Sequence, residues 1–224
     1  MGDVISLAER RAARVDRSGR AGPEGHSARE HAAGARGRSR VTFYFDLASP
    51  WTYLAAERVD RLCCEVRWRP VMSEGLPNLG PADGGRGPAE DRAAELRLPL
   101  VWPERWPGAV PAAMRVAAMA AERGQAAPFV LAAGRLAFCG GYDLEDPEIL
   151  AEAAAAAGLP LEECLAAAGG FGRDGALERA ALRLLALGAD ALPALRVARR
   201  LFCGEHRLAE AIAAAGLPLQ RRWA

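Results

Sequence analysis

The residues best suited to chemistry lie in the segment VTFYFDLASPWTYLA, residues 41–55. Ser49 is a favoured residue type for a helix N-cap, and Pro50 suits the first helical position, where its missing N–H costs no hydrogen bond. First-turn N–H groups and the positive end of the helix dipole converge at such a terminus, and an anion there is stabilised by roughly 0.3–2 kcal/mol. We therefore expect Ser49 to help hold a negatively charged group, such as a thiolate, a carboxylate or a phosphate.

The apolar pattern around Ser49 predicts the elements that position it. Residues 41–47 are mainly apolar, aromatic or β-branched, which indicates a strand, and apolar residues at helical spacing follow Pro50. Residues 65–71 (EVRWRPV) alternate like a second strand, which a right-handed crossover places parallel to the first. The sequence thus predicts a strand, a turn, a helix and a second strand, with Ser49 at the turn.

The segment FDLASPWTYL, residues 45–54, resembles the F-D-x-x-S-P-x-[ST]-x-L motif of one enzyme family. This family comprises the 2-hydroxychromene-2-carboxylate isomerases and kappa-class glutathione transferases, which are DsbA-like members of the thioredoxin superfamily. The resemblance extends to Arg69-Pro70, to GYDLED at 141–146 and to FCGEHRL at 202–208. It implies that Ser49 and Thr52 take the places of the two cysteines of a redox CxxC turn.

The resemblance covers residues 41–213 and implies an α/β fold, a thioredoxin-like (DsbA-like) domain with a large all-helical insertion. We expect residues 41–72 and 189–216 to form the thioredoxin-like domain, and residues 73–188 to form an inserted loop and helical domain. The segments predicted from apolar periodicity and turn residues are a loop at 73–88, helices at 89–98, 113–123, 128–138, 147–157, 160–168 and 175–187, and a strand at 194–197.

The resemblance also implies a cofactor, which is glutathione or another low-molecular-weight thiol. It places Leu192 and a cis-Pro193 against Ser49. His206 stands where the family has Asp as a partner for the γ-glutamyl end of glutathione, and the neighbouring Glu205 could accept from the ligand's ammonium group. The full set of implied cofactor contacts is Ser49, Asn78, Leu192, Pro193, Glu205 and His206.

Three tryptophans are candidates for the wall of a substrate site. Trp102 and Trp106 lie in the Pro-broken stretch 98–112, which is similar to a stretch that borders the substrate cleft in the family, and Trp51 follows the Ser49 turn. Two roles remain open for these side chains, namely packing in the core and contact with a small aromatic substrate.

Composition narrows the function classes. The net charge of +1 over 224 residues provides no overall electrostatic attraction to nucleic acid or to a membrane, so we expect neither as a partner. The sequence contains no lysine, which excludes Schiff-base chemistry and a P-loop lysine. The three histidines and five cysteines show no zinc-like spacing, so we expect no metal.

The rest of the chain suggests a cytoplasmic protein. An odd number of cysteines without a secretory-signal pattern favours a reducing compartment. Residues 1–40 are rich in Arg, Gly and Ala and offer little to bury, which predicts a disordered tail. Since members of the resembled family are often dimers, the resemblance implies a homodimer.

Three functions remain open at this point. The favoured one is a thiol-dependent isomerase or transferase in which Ser49 stabilises the cofactor thiolate, because a serine cannot cycle between dithiol and disulfide. The second is a DsbA-family oxidoreductase that acts through a cysteine outside a CxxC turn, such as Cys203. The third is a non-catalytic binding protein that keeps the thioredoxin fold.

Overall fold

The structure is a computed structural model that describes residues 41–62, 65–73 and 85–216. The predictions for the tail at 1–40, for Asn78 and for most of the loop at 73–88 lie outside the described residues.

A four-stranded mixed sheet forms the centre of the thioredoxin-like part. Its strands run in the order β2-β1-β3-β4. β1 pairs parallel with β2, with Val41 opposite Val66, and antiparallel with β3, with Val41 opposite Val197. The predicted unit of strand, turn, helix and parallel strand is therefore present. The bounds are β1 Val41–Phe45, α1 Pro50–Asp60, β2 Val66–Pro70, β3 Ala194–Val197 and β4 Arg200–Cys203.

Helices fill most of the chain between β2 and β3. The five helices predicted between residues 113 and 187 all form, with ends displaced by at most two residues from the predicted ones. α2 begins at Arg86, three residues earlier than predicted, because Pro88 fits the first turn of a helix, where no N–H is needed. The bounds are α2 Arg86–Leu96, α3 Pro111–Glu122, α4 Ala126–Phe138, α5 Pro147–Ala156, α6 Leu161–Gly169, α7 Asp174–Ala186 and α8 Leu208–Ala215, with 3₁₀ turns at Phe171–Arg173 and Glu205–Arg207.

Both faces of β1 are buried, which explains its nearly unbroken run of apolar residues. Phe43 and Phe45 point into the larger core, where the Phe43 ring meets Trp68 edge-on at 4.9 Å. Tyr44 points to the opposite face and packs in a second cluster with Leu184 of α7. Since β1 leads directly into the turn that carries Ser49, packing on both faces fixes where that turn begins.

α1 is buried along most of its length, and it packs chiefly against α4. Leu54 and Ala55 are inaccessible to solvent, and the last turn is closed by Arg61, whose N–H donates to the carbonyl of Glu57 at 3.2 Å. Within the described ranges, the chain has no helix with the length and apolar character needed to cross a membrane.

Burial of α1 predicts a large loss of stability when its core is truncated. Leu54 is 0% exposed, so Leu54→Ala should lower the free energy of unfolding by about 2–5 kcal/mol, measured by urea denaturation. Leu182→Ala on α7 is the matched control, because Leu182 is 56% exposed and its truncation should change the value by less than about 0.5 kcal/mol. Equal losses in the two variants would contradict the placement of α1 in the core.

Candidate active site

The turn before α1 is held by the carboxylate of Asp46. Its Oδ1 accepts the Ala48 N–H at 2.9 Å, while Oδ2 accepts the N–H of Ser73 at 3.0 Å and also the Ser73 hydroxyl. The Asp46 carbonyl accepts the Ser49 N–H at 3.2 Å. Asp46 therefore ties the start of α1 to the chain that leaves β2. Burial raises the pKa of this carboxyl group, and the three hydrogen bonds to its side chain oppose that shift.

Ser49 occupies the N-cap of α1 with extended backbone angles, as predicted, but its hydroxyl does not cap the helix. The residue is 9% exposed, and Oγ has no hydrogen-bond partner among the described residues. An N-cap serine ordinarily accepts a backbone N–H of the first turn, and an unpaired buried hydroxyl costs about 1–3 kcal/mol. The Ser49 hydroxyl is thus free to donate to a ligand at the helix terminus.

A cavity of about 260 Å³ lies beside this hydroxyl, and we call it the Ser49 cavity. Trp106 and Leu192 also line it, so the structure brings these two predicted residues together with Ser49. The peptide bond between Leu192 and Pro193 is cis, as the family resemblance implied. The Pro193 carbonyl accepts the Gly204 N–H at 2.8 Å, which connects this segment to the end of β4.

A second cavity of about 460 Å³ adjoins the first, and we call it the Arg105 cavity. Trp106 lines both cavities, while the apolar side of the second includes Leu47 and Phe138. Its polar side carries the ion pair between Arg105 and Asp143, with 2.6 Å between guanidinium nitrogen and carboxylate oxygen. The two cavities together offer a hydrogen-bond donor at one end and an aromatic surface at the other.

The three tryptophans have different surroundings. Trp106 donates its indole N–H to the Ala48 carbonyl at 3.3 Å, and the Trp102 ring lies behind it, with 4.2 Å between ring centroids. Trp102 itself lines neither cavity. Trp51 is 8% exposed and packs in the hydrophobic core, because the first turn of α1 directs it inward. Of the three tryptophans predicted for a substrate wall, Trp106 therefore lines the two cavities, whereas Trp51 and Trp102 do not.

Neither Glu205 nor His206 is among the residues that line the Ser49 cavity. The Glu205 carboxylate is buried and forms ion pairs with Arg58 of α1 and with Arg92 of α2, the latter at 2.7 Å. Both carboxylate oxygens are therefore bound to guanidinium groups. His206 is exposed, and neither residue lines the cavity, so this geometry gives no support to the predicted contacts with the cofactor.

Sequence reasoning missed Asp46, Ser73 and Met114 as parts of the site. Met114 lines the Ser49 cavity and accepts the Leu47 N–H on its sulfur at 3.3 Å. An Asp that directly follows a strand is typical of an Asx turn, in which its carboxylate accepts the backbone N–H two residues later. This pattern could have identified Asp46. The contacts of Ser73 and Met114 depend on the tertiary fold, and no local sequence pattern indicates them.

Acidic, histidine and cysteine side chains do not gather into a metal site in the parts of the chain that the structure describes. The Ser49 cavity is instead lined by hydroxyl, aromatic, aliphatic and thioether groups, with Asp46 as the one ionisable side chain among the described residues that line it.

Comparison with known proteins identifies the fold. A model of the DSBA-like thioredoxin domain family matches residues 40–214. No curated protein sequence matches the chain. A solved 2-hydroxychromene-2-carboxylate isomerase superposes with a TM-score of 0.68 at 18% identity, over 79% of this chain and 94% of that one.

Two further solved structures are similar. A probable DsbA oxidoreductase from Streptomyces coelicolor has a TM-score of 0.62 at 23% identity, over 83% of this chain and 94% of that one. A cytosolic disulfide reductase from Pseudomonas aeruginosa, solved with GSH, has a TM-score of 0.59 at 17% identity, over 79% of this chain and 97% of that one. At these identities the likeness establishes a shared fold, which isomerases and oxidoreductases both use.

The ion pairs of Glu205 predict a structural role for that residue. Glu205→Gln removes the buried negative charge that pairs with two partly exposed arginines. The free energy of unfolding, measured by urea denaturation, should therefore fall by about 2–3 kcal/mol. Glu210→Gln, which affects an exposed pair with Arg207, should change it by less than about 0.5 kcal/mol. Unchanged stability together with lost glutathione binding in Glu205→Gln would restore Glu205 as a cofactor contact.

Proposed function

Because the chain belongs to the DSBA-like thioredoxin domain family, we propose that it is an enzyme that uses a bound thiol to isomerise or conjugate a small aromatic molecule. The thiol is glutathione or another low-molecular-weight thiol, and the reaction resembles that of 2-hydroxychromene-2-carboxylate isomerase. One observation carries this proposal. The Ser49 hydroxyl is buried and lacks a partner among the described residues, and Ser49 lines a cavity at the N-terminus of α1.

The residues around Ser49 suit a thiol sulfur. The hydroxyl donates a hydrogen bond to the sulfur, and the first turn of α1 stabilises its negative charge, so both lower the pKa of the bound thiol. Met72, Met114 and Leu192 give the rest of the cavity a polarisable, apolar surface. A thiol held beside Ser49 would supply a nucleophile for addition to a conjugated substrate, which is the chemistry that isomerisation and thiol transfer share.

The Arg105 cavity is the proposed place of the aromatic substrate. Trp106 and Phe138 offer ring surfaces, and Trp106 also borders the Ser49 cavity, so a substrate on this wall lies next to the sulfur position. The Arg105 guanidinium at the polar side can pair with a substrate carboxylate, although it then exchanges partners with Asp143.

The similar solved structures support this proposal at the level of the fold. One of them is a 2-hydroxychromene-2-carboxylate isomerase, and the cytosolic disulfide reductase was solved with GSH, so the fold is compatible with both the reaction and the cofactor. We place the reaction in the cytoplasm, where such thiols are kept reduced.

The competing function, disulfide chemistry through Cys203, suits the geometry less well. Cys203 is 7% exposed, lies opposite Ala194 in the β3–β4 pair and does not line the Ser49 cavity. Burial raises the pKa of its thiol, which lowers the fraction present as the reactive thiolate. These features favour Cys203 as a packing residue.

Ser49→Ala should weaken glutathione binding about tenfold to hundredfold in calorimetric titration, because a hydrogen bond to a charged sulfur contributes about 1.5–3 kcal/mol. The free energy of unfolding should stay the same or rise, since the lost hydroxyl has no partner among the described residues. Thr52→Val is the matched control. Thr52 also has a buried hydroxyl without a described partner, but it does not line the cavity, so binding should be unchanged. Equal affinity in wild type and Ser49→Ala would contradict the proposed role.

Cys203→Ala should retain glutathione affinity and turnover within about twofold of wild type, because the thiol is buried away from the cavity. Turnover of hydroxychromene-like aromatic acids and reduction of a model disulfide should both be measured. Loss of a wild-type disulfide reductase activity in Cys203→Ala would favour the oxidoreductase function instead.

A further inference from the structure

We propose that Asp46 is the proton acceptor for a thiol that enters the Ser49 cavity, so that the cavity holds one negative charge that passes from the carboxylate to the sulfur. This inference rests on the proposed function. It assigns to Asp46 a chemical role in addition to its structural one in the turn.

Position is the first argument. Asp46 lines the same cavity as Ser49, and its backbone carbonyl accepts the Ser49 N–H at 3.2 Å, so the carboxyl group and the hydroxyl belong to one rigid turn. Oδ1 accepts a single hydrogen bond, from Ala48, within the described residues. Because each carboxylate oxygen can accept two, Oδ1 keeps the capacity to take a proton from a ligand.

Isolation from other charges is the second argument. α1 contributes Ser49 to the cavity, the chain after β2 contributes Met72 and Ser73, and α3 contributes Pro111 and Met114, all of them uncharged. The charged side chains that line the adjoining Arg105 cavity are Arg105, Asp143 and Glu145. Among the described residues of its own cavity, Asp46 is therefore the one group that can take up a proton.

The energetics of two acids in one small space is the third argument. A carboxylate and a thiolate in the same small cavity repel each other, so a proton is retained by the pair. Burial raises the pKa of Asp46, whereas the helix N-terminus and the Ser49 hydroxyl lower the pKa of the thiol. Since these shifts bring two ordinarily distant pKa values together, transfer from sulfur to carboxylate becomes feasible.

The step balances within the cavity. The S–H bond of the incoming thiol breaks, the O–H bond of the Asp46 carboxyl group forms, and the electron pair stays on sulfur, next to the Ser49 hydroxyl. The protonated carboxyl group keeps the N–H donors of Ala48 and Ser73. No proton is exchanged with the solvent, and no oxidant or reductant is required.

This proton balance can be measured directly. Calorimetric titration with glutathione in two buffers of different ionisation enthalpy gives the number of protons released, and ultraviolet absorbance of the complex reports the thiolate. For wild type at neutral pH we expect the thiolate signal with no net proton release. As pH falls through the pKa of Asp46 in the free protein, release should rise toward one proton, because the carboxyl group is then already protonated.

Asp46→Asn removes the acceptor. We expect either the thiolate signal with about one proton released at neutral pH, or binding of glutathione with no thiolate signal. Asp60→Asn is the matched control, since that carboxylate lies at the far end of α1 and should leave the wild-type proton balance intact. Far-ultraviolet circular dichroism and thermal melting establish that each variant is folded.

Ser73→Ala provides an independent variant if Asp46→Asn does not fold. The Ser73 hydroxyl lowers the pKa of Asp46, so its removal should shift the wild-type transition in proton release to higher pH. Release of one proton by wild type at neutral pH, or a wild-type complex without thiolate, would overturn the role of Asp46 while leaving thiol binding in place. Absence of glutathione binding by wild type would overturn the proposed function as well.

Discussion

The site depends on one buried interaction, the carboxylate of Asp46 with its three donors on Ala48 and Ser73. A carboxylate that is 5% exposed persists only where hydrogen bonds replace its water, so the turn before α1 and the chain after β2 must keep their positions. Both faces of β1 are packed, and this packing fixes the position of Asp46, which directly follows the strand. α1 then begins at Pro50, directly after Ser49 at its N-cap, and Ser49 lines the same cavity as Asp46. The hydrogen bonds to the Asp46 carboxylate therefore determine how the turn before α1 and the chain after β2 are placed.

Much of this could be predicted from sequence because the signals are local. The apolar run of β1, the Ser-Pro start of α1 and the Ala-rich periodicity of the five later helices each predict their element within a few residues. The cis peptide at Leu192–Pro193 came from family resemblance, since sequence alone favours the trans isomer. The local pattern thus predicted Ser49 as the N-cap of α1, and the resemblance predicted that Leu192 lies near it.

The remaining parts of the site depend on contacts between distant segments. Glu205 is acidic and precedes a helix, which suits a ligand contact, yet Arg58 and Arg92 approach it from α1 and α2 and bind both of its oxygens. Trp51 adjoins Ser49 in sequence, but helical geometry directs its ring into the core. Trp106, far away in sequence, borders both cavities through its hydrogen bond to Ala48. Proximity in sequence is a poor guide to which side chains share a cavity.

In the proposed function, Ser49 receives the sulfur of a small thiol at the N-terminus of α1. The most direct test is a crystal structure of the protein with glutathione. We expect the glutathione sulfur within hydrogen-bond distance of the Ser49 Oγ, inside the cavity lined by Leu192 and Trp106. Glutathione bound with its sulfur elsewhere, and with the Ser49 hydroxyl still unpaired, would contradict it.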